Sequence, residues 1–397
     1  MRILLITAGS RGDVEPFAAL ARRALAAGHD VRLVLPDHSG VDVSAINTVS
    51  LEVDYSALIR DQGVSPLAAM RSFSTVVRPI MRAVIVNAVT AALEFEPDVI
   101  VYHPKILSAP LIADRLGIPH VLVELVPAVT PTAAFPAPGT ITADLGRLNR
   151  LTYAAAQGAA RMFGRELDEA RRLAGSGSRA ASAVSASLVP ISPQVLPRPD
   201  DWPATVHLTG AWIEPASRPS PADAELAEFL AAGDAVYAGF GSMAIGDPLD
   251  RGRALIAAAR ETGNRLLVAT GWGGIAVSDD LAGADILMRS SVDHAAVLPS
   301  VRAAVHHGGI GTVQAAARAG IPSVIVPFFA DQPFWGAQVH RQGLGPAPIP
   351  QRSLATARLV AALRAAPEFA ANAGAAREAM TAEDGLGAAL EVLEHLG

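Results

Sequence analysis

VRAAVHHGGIGTVQAAARAG, residues 301–320, is the stretch that decides the fold. The apolar residues 301–305 predict a buried strand, and residues 313–319 predict a helix that ends at Gly320. The turn between them, from His306 to Thr312, contains three glycines. A strand that runs through a glycine turn into a helix is the repeating unit of a parallel α/β sheet.

The same pattern opens the chain. Residues 3–7 form an apolar run, residues 8–13 a turn of small and polar residues, and residues 14–27 an apolar helical pattern that Gly28 ends. Further strands are predicted at 31–35, 98–102, 120–125, 187–191, 235–240, 265–269, 286–289 and 323–326. Strands that alternate with helices predict parallel sheets with right-handed crossovers.

The length and a change of composition predict two domains. The chain has 397 residues, which is long for one core. Prolines crowd residues 190–221, as in a linker. We therefore expect two facing, doubly wound Rossmann-like domains, with ligands at the carboxyl ends of the strands in the cleft between them. The predicted boundaries are an N-terminal domain at 1–199, a linker at 200–206, a C-terminal domain at 207–376, and a last helix at 377–397 that packs back on the first domain.

Composition excludes several classes of function. The net charge of −6 argues against a nucleic-acid surface, which needs clustered basic residues. The absence of cysteine excludes disulfide scaffolds and thiolate sites. The start of the chain does not read as a signal peptide, and no run of 18 to 20 apolar residues predicts a membrane span. We expect a cytoplasmic protein. Lys105, the only lysine, receives no role from the sequence.

The turn from His306 to Thr312 is a candidate anion site. A glycine turn that opens a helix directs backbone N–H groups and the positive end of the helix dipole at one point, which suits phosphate. The alternative is a tight turn in which the histidines only satisfy local backbone groups. The dinucleotide fingerprint G-x-G-x-x-G is absent, because Gln314 takes its third glycine position, and the Walker motif is absent too. Hydride transfer therefore loses its main support.

Together these motifs resemble the family 1 glycosyltransferases of the GT-B fold. The matching segments are HHGGIGT (306–312), RAGIPSVIVPFFADQPFWGAQVH (318–340), RQGLGP (341–346), GSRGD (9–13), PTAAFPAP (131–138) and GFGSM (239–243). The likeness is strongest to bacterial enzymes that glycosylate glycopeptide antibiotics and to sterol glucosyltransferases. It implies a nucleotide-sugar site in the second domain and an acceptor site in the first.

The resemblance also implies roles for individual residues. His307 and Ser242 would contact the diphosphate, the pair Asp331-Gln332 would bind the hydroxyls of the donor sugar, and Val292 would hold the nucleobase. Ser291 stands where many plant relatives carry a tryptophan. The resemblance therefore does not decide between a uridine and a thymidine nucleotide as the donor. The remaining expected donor-binding residues are Ser10, Arg11, Gly12, Gly308, Gly309, Gly311 and Thr312.

Asp13 is the candidate catalytic base. Inverting transfer needs a group that removes the proton of the acceptor hydroxyl. Related bacterial enzymes carry the same SRGD, with this aspartate proposed as the base. The alternative is a helix N-cap, since Asp before a helix and Pro16 in the first turn fit that pattern as well. Plant relatives use a histidine–aspartate dyad, and no histidine stands in this loop.

The sequence contains few signals for the acceptor-binding site. Residues 65–96 are long and apolar, and Met70, Phe73 and Met81 would face an acceptor cleft, unless this is a packed helix with solvated arginines. Residues 127–146 are rich in proline and predict a loop over the acceptor mouth, with Phe135 in it.

We therefore expect an inverting, metal-independent glycosyltransferase without a cofactor. Its donor would be a dTDP- or UDP-sugar, and its acceptor a hydroxyl of a small hydrophobic or amphiphilic natural product or lipid. It would act as a monomer or a homodimer, without nucleic acid or a transmembrane segment. The alternatives are a nucleotide-sugar 2-epimerase-like isomerase and a non-catalytic nucleotide-sugar-binding protein of the same fold.

Overall fold

The structure is a computed structural model of the whole chain. It describes residues 1–55, 72–154, 158, 161–175, 183–214, 223–241, 246–271 and 273–397. Of the predicted site residues, Met70 and Ser242 lie outside the described residues.

Seven parallel strands form the first sheet, in the order β3-β2-β1-β4-β5-β6-β7. The order reverses direction at β1 and β4, which are neighbours. Ligands bind at such a reversal in open α/β sheets, just beyond the carboxyl ends of the strands. The bounds are β1 (Arg2–Ile6), β2 (Asp30–Asp37), β3 (Asn47–Asp54), β4 (Val99–Tyr102), β5 (His120–Val123), β6 (Ala186–Val189) and β7 (Val206–Leu208).

Five parallel strands form the second sheet, in the order β10-β9-β8-β11-β12, which again reverses at its centre. The two parallel sheets confirm the predicted fold class, and every strand predicted from the sequence is present, with small shifts at the ends. The bounds are β8 (Ala235–Gly239), β9 (Arg265–Ala269), β10 (Ile286–Arg289), β11 (Ala303–His306) and β12 (Ser323–Ile325).

Helices cover both faces of each sheet. The first helix begins at Arg11 rather than Val14, three residues earlier than predicted, and so includes Asp13. The α-helices are α1 (Arg11–Ala26), α2 (Arg78–Phe95), α3 (Ala109–Leu116), α4 (Gly164–Ala174), α5 (Ala224–Ala231), α6 (Pro248–Glu261), α7 (His294–Val297), α8 (Ile310–Ala319), α9 (Gln332–Arg341), α10 (Thr356–Ala365), α11 (Ala370–Thr381) and α12 (Gly385–Glu394). A π-helical turn (Phe73–Val77) precedes α2, and 3₁₀ turns lie at Gly146–Tyr153, Asp279–Leu281, Leu298–Ser300, Gln351–Ser353 and Ala366–Phe369.

The chain leaves the first sheet later than the predicted boundaries allow. β7 pairs with β6, so residues 206–208 belong to the first sheet and not to a linker or to the second domain. Near the C-terminus, α11 packs against α8 of the second domain. The next helix, α12, returns to the first domain, where Leu386 and Leu390 join the core around α1. Arg23 of α1 pairs with Asp384 at 2.7 Å and fixes that contact.

Among the described residues, one helical stretch, Phe73–Phe95, is long and apolar enough to cross a membrane, with a mean hydropathy of 1.6. The sequence analysis excluded any such stretch. In the structure the buried side of this stretch, including Val84, Ile85 and Ala88, belongs to the core beside the first sheet. Its arginines are not all free in solvent, because Arg78 forms a 2.5 Å ion pair with Glu166, a residue of α4. Packing of this kind is typical of a core helix.

Candidate active site

The carboxyl ends of the central strands carry the predicted site. In the first sheet the loop after β1 (residues 7–10) lies beside the loop after β4 (residues 103–108), because β1 and β4 are paired. In the second sheet the turn after β11 (residues 307–309) lies beside the loop after β8, because these strands are paired as well. Each domain therefore presents two neighbouring loops at the reversal point of its sheet.

The glycine turn of residues 306–312 has the backbone arrangement that an anion site would need. Gly309 is the N-cap of α8. The backbone N–H groups of Gly309, Ile310 and Gly311 donate to no described residue. The first N–H groups of a helix and its dipole together attract an anion. Two of the predicted donors of this turn, Gly309 and Gly311, and in addition Ile310 can therefore donate to one ligand.

Two residues of this turn differ from expectation. The N–H of Gly308 donates to Nδ1 of His306 at 3.2 Å, so Gly308 has no free donor for a diphosphate. Gly308 instead serves the backbone, since its φ is +89° and a Cβ there would lie 2.8 Å from the side chain of Ile325. The N–H of Thr312 donates to the Gly309 carbonyl at 3.0 Å, which leaves only its hydroxyl for a ligand.

His307 lies directly over the start of α8. A Cβ added to Gly309 would lie 2.5 Å from Nε2 of His307, so only glycine leaves room for the imidazole ring there. Burial lowers the pKa of His307 to about 4, while the Gly239 carbonyl opposes that shift. The ring is therefore neutral at pH 7 in the empty site. A neutral imidazole can still donate one hydrogen bond to a phosphate oxygen.

The predicted nucleobase segment follows β10. Val292 is half-buried and packs against the neighbouring core, while Ser291 is exposed. His294 accepts or donates a 3.0 Å hydrogen bond with the hydroxyl of Tyr237. Burial, and then the charge of Arg11, lower the pKa of His294, although Asp293 opposes them. Arg11 belongs to the first domain, so its charge acts on this segment from the other domain.

Asp331 and Gln332 play different parts. Oδ2 of Asp331 accepts a 2.7 Å hydrogen bond from the indole N–H of Trp335, which orients the carboxylate. Burial raises the pKa of Asp331, and the charges of Asp13 and Lys105 also act on it. Asp331 therefore lies within electrostatic range of those two residues of the first domain. Gln332 is 5% exposed, and its carbonyl oxygen accepts the Phe328 N–H at 2.8 Å, so this oxygen shapes the turn before α9.

Asp13 caps α1, but not from the N-cap position. The N-cap is Ser10, and Asp13 is the third helical residue. Oδ2 of Asp13 accepts hydrogen bonds from the Ser10 N–H at 2.8 Å and from the Ser10 hydroxyl at 3.2 Å, as in a capping box. A Cβ on Gly9 would collide with this carboxylate, so glycine is required there. Capping and catalysis are not alternatives here, because capping uses only one of the two carboxylate oxygens.

The other oxygen, Oδ1, faces two residues from the loop after β4. His103 Nε2 lies 3.3 Å from Oδ1, and so does the Lys105 ammonium. Burial by itself raises the pKa of Asp13, but Lys105 and His103 outweigh it and hold the pKa well below its usual range. Asp13 is therefore ionised at any pH at which the protein works.

A histidine–aspartate pair thus exists, although no histidine stands in the loop of Asp13. Burial and Lys105 lower the pKa of His103, so the ring is neutral at pH 7. Its Nδ1 accepts the backbone N–H of Lys105 at 3.1 Å, which assigns the proton to Nε2, toward Asp13. Both ring nitrogens have partners, so His103 is placed to orient the Asp13 carboxylate and has no nitrogen left to accept a proton.

The predicted acceptor residues do not line one common cleft. Phe73 and Met81 are half-buried against the core of the first domain, and the Phe73 ring lies 5.8 Å from that of Phe163. Phe135 is 4% exposed, and its ring lies 5.0 Å from that of Phe334 of the second domain. Phe135 therefore does not line an open cleft. It packs in an apolar contact between the two domains.

The proline-rich loop over the predicted acceptor mouth is tied down at two points. Glu124, which is buried, accepts the N–H of Val129 at 2.8 Å. Asp201 accepts the N–H of Ala133 at 2.8 Å. Further along, Gly139 comes close to the backbone of Ala330, one residue before Asp331. The loop therefore bridges the acceptor domain and the turn that carries Asp331.

Comparisons with known proteins agree with this architecture. Residues 284–390 match the family model described as "Erythromycin biosynthesis protein CIII-like, C-terminal domain". The chain is 34% identical to the vancomycin aglycone glucosyltransferase of Amycolatopsis orientalis, over 94% of this chain and 93% of that protein. It is also 34% identical to the O-mycaminosyltylonolide 6-deoxyallosyltransferase of Streptomyces fradiae, over 99% and 97%.

A plant relative and a solved structure extend the comparison. The sterol 3-beta-glucosyltransferase UGT80A2 of Arabidopsis thaliana is 31% identical over the whole of this chain, which spans 66% of the plant protein. The solved glycotransferase of kitacinnamycin has the same fold, with a TM-score of 0.74 at 21% identity over 100% of this chain and 98% of that one. The chain therefore belongs to the family 1 glycosyltransferases of the GT-B fold, and it is a glycosyltransferase.

Proposed function

We propose that the enzyme moves a sugar from a thymidine or uridine diphosphate-sugar to a hydroxyl group of a hydrophobic acceptor, with inversion at the anomeric carbon and without a metal ion. The observation that carries this proposal is that Asp13 of the first domain lies close enough to Asp331 of the second for its charge to raise the pKa of Asp331. It brings the candidate base of the first domain to the candidate sugar-binding carboxylate of the second. The anion site at the start of α8 belongs to the same end of the second sheet.

The proposed step is a single displacement. Asp13 accepts the proton of the acceptor hydroxyl as its oxygen bonds to the anomeric carbon. The bond from that carbon to the diphosphate oxygen breaks on the opposite face, and its electron pair leaves with the nucleoside diphosphate. One displacement inverts the anomeric configuration.

Several groups would stabilise the negative charge that develops on the leaving diphosphate. The N–H groups of Gly309, Ile310 and Gly311, the α8 dipole and the neutral His307 ring converge on one side. Arg11 approaches from the opposite wall. These groups supply the stabilisation that a divalent ion would otherwise give. In the part of the chain that the structure describes, no three carboxylate or histidine side chains are grouped as a metal site.

Relatives guide the choice of substrates. Two solved structures of the same fold, VinC and SsfS6, are complexes with dTDP or thymidine diphosphate. The curated relatives act on a glycopeptide aglycone, a macrolide and sterols. We therefore define an acceptor panel of vancomycin aglycone, O-mycaminosyltylonolide, cholesterol and the simple phenol 4-methylumbelliferone. The reaction is proposed to take place in the cytoplasm, where nucleotide sugars are made.

A thermal-shift screen tests the donor. A ligand at one hundred times its Kd stabilises the native state by about 2.7 kcal/mol, so selective binding raises Tm. We expect dTDP or UDP to raise Tm, and ADP and GDP to leave it unchanged at the same concentration. A shift of similar size with all four nucleotides, or with none, would contradict a pyrimidine-nucleotide site.

A further inference from the structure

Asp13 has no vacant position for an acceptor in the empty site. An ionised carboxylate accepts about four hydrogen bonds over its two oxygens. Oδ2 receives the N–H and the hydroxyl of Ser10 at 2.8 Å and 3.2 Å. Oδ1 faces His103 and Lys105, each at 3.3 Å. An acceptor hydroxyl that is to give its proton to Asp13 must therefore replace one of these four groups.

Two of the four groups are held in place by the fold, and a third, the Ser10 hydroxyl, contacts Oδ2 and not Oδ1. The Ser10 N–H belongs to the backbone at the start of α1. The Ser10 hydroxyl is exposed and can rotate, but it contacts Oδ2, which keeps the Ser10 N–H as a partner. His103 is buried, and its Nδ1 accepts the Lys105 N–H at 3.1 Å, so its ring cannot turn without breaking that bond. Neither the Ser10 N–H nor His103 can leave Asp13 without opening the first turn of α1 or the loop after β4.

The fourth group, the Lys105 ammonium, is free to move. Its side chain is 41% exposed, against 9% for the His103 side chain. It lies over Gly9, where an added Cβ would be 2.7 Å from Nζ, and it contacts Oδ1 at 3.3 Å. The ring of Tyr55 lies 5.9 Å from Nζ and offers the ammonium a second resting place by a cation–π contact.

We propose that Lys105 is a positioning residue for the transfer reaction: it pairs with Asp13 in the empty site and yields Oδ1 to the hydroxyl of the incoming acceptor. This inference rests on the proposed function of Asp13 as the base. While Lys105 is in place, it keeps the carboxylate ionised but makes it a weak base. When the acceptor displaces the ammonium, the carboxylate loses its closest cation and becomes a stronger base at the moment at which the hydroxyl arrives.

The test compares Lys105→Met with Lys105→Arg on the fastest donor and acceptor pair of the panel. On the acidic side of the pH profile, kcat/KM falls as Asp13 becomes protonated. Loss of a cation 3.3 Å from the carboxylate should move this fall to higher pH by roughly one to three pH units. Lys105→Met should also lower the acceptor KM, because no ammonium has to be displaced. Lys105→Arg keeps the charge and should keep this fall near its wild-type pH. An unchanged pH of this fall in Lys105→Met would overturn the inference.

A second measurement does not depend on turnover. Reductive ¹³C-methylation labels only Lys105 and the N-terminal amine, because the chain has no other lysine. The dimethyl-lysine signal should move between the wild type and Asp13→Asn, and acceptor with dTDP should move the wild-type signal toward that of Asp13→Asn. A signal that the acceptor leaves unmoved would contradict displacement, even if Lys105→Met failed to fold. Absence of any transfer by the wild type would instead overturn the proposed function itself.

Discussion

Asp13→Asn is expected to slow transfer by roughly 10²- to 10⁴-fold, the usual contribution of a positioned base. Asparagine has nearly the same shape, and its amide oxygen can still accept the Ser10 N–H that Asp13 receives at 2.8 Å. The start of α1 should therefore survive, while the group that takes the proton is lost. The rate of transfer and the Kd of dTDP are measured together, and we expect the Kd to stay within about twofold of the wild-type value, a difference of only ~0.4 kcal/mol.

Asp384→Asn is the matched control for that variant. Asp384 also begins a helix, accepts the Gly387 N–H at 2.8 Å and pairs with a cation, Arg23, at 2.7 Å. It lies at the start of α12, which packs on the outer side of α1. Its replacement should leave turnover nearly unchanged. Turnover by Asp13→Asn close to the wild-type rate would remove Asp13 from the role of base.

Gly309→Ala is expected to weaken dTDP binding roughly 10- to 100-fold, the cost of one or two charge-assisted hydrogen bonds. The added methyl group would lie 2.5 Å from Nε2 of His307, so the ring must leave its place over α8. The backbone itself tolerates alanine, because φ at Gly309 is −63°. Titration calorimetry with dTDP measures the loss of affinity directly.

Gly374→Ala provides the control for this substitution. Gly374 lies within α11, and nothing stands within 4 Å of an added Cβ there. Alanine is the better helix former, so this variant should fold at least as stably as the wild type and bind dTDP unchanged. Unchanged affinity in Gly309→Ala as well would show that the diphosphate does not use the start of α8.

Much of the fold was predictable because its strands are buried on both faces. Runs such as residues 3–7 and 301–305 stand out as continuous apolar stretches. The two strands that the sequence analysis missed, β3 and β7, lie at the two edges of the first sheet. β3 is largely exposed on one side and carries Asn47, Ser50 and Glu52, which hides it from a search for apolar runs. β7 has only three residues.

The site was predictable where its residues are consecutive in the chain. The turn from His306 to Thr312 could be proposed as an anion site from its own seven residues. His103 and Lys105 were missed because they contact Asp13 across about ninety residues of sequence, and only the pairing of β1 with β4 brings them together. A signal was present, since two basic residues follow a buried strand within three positions. Its meaning depended on knowing the strand order.

Side-chain orientation explains the remaining differences. The sequence cannot show that the Gly308 N–H turns to His306 or that the Gln332 carbonyl turns to the Phe328 N–H. Phe135 was assigned to the acceptor mouth because its loop is rich in proline. Its ring is instead covered by Phe334, which comes from the other domain. Contacts between domains of this kind are settled by packing and not by local pattern.

Incubation of the enzyme with dTDP-glucose or UDP-glucose, with and without the acceptor panel, tests the central claim most directly. We predict that one acceptor gains the mass of one sugar residue, that its new anomeric configuration is opposite to that of the donor, and that chelation of divalent ions leaves the rate unchanged. Without acceptor, the nucleotide sugar should remain intact. Conversion of the nucleotide sugar into an isomer in the absence of any acceptor, with no glycosylated product in its presence, would contradict the account.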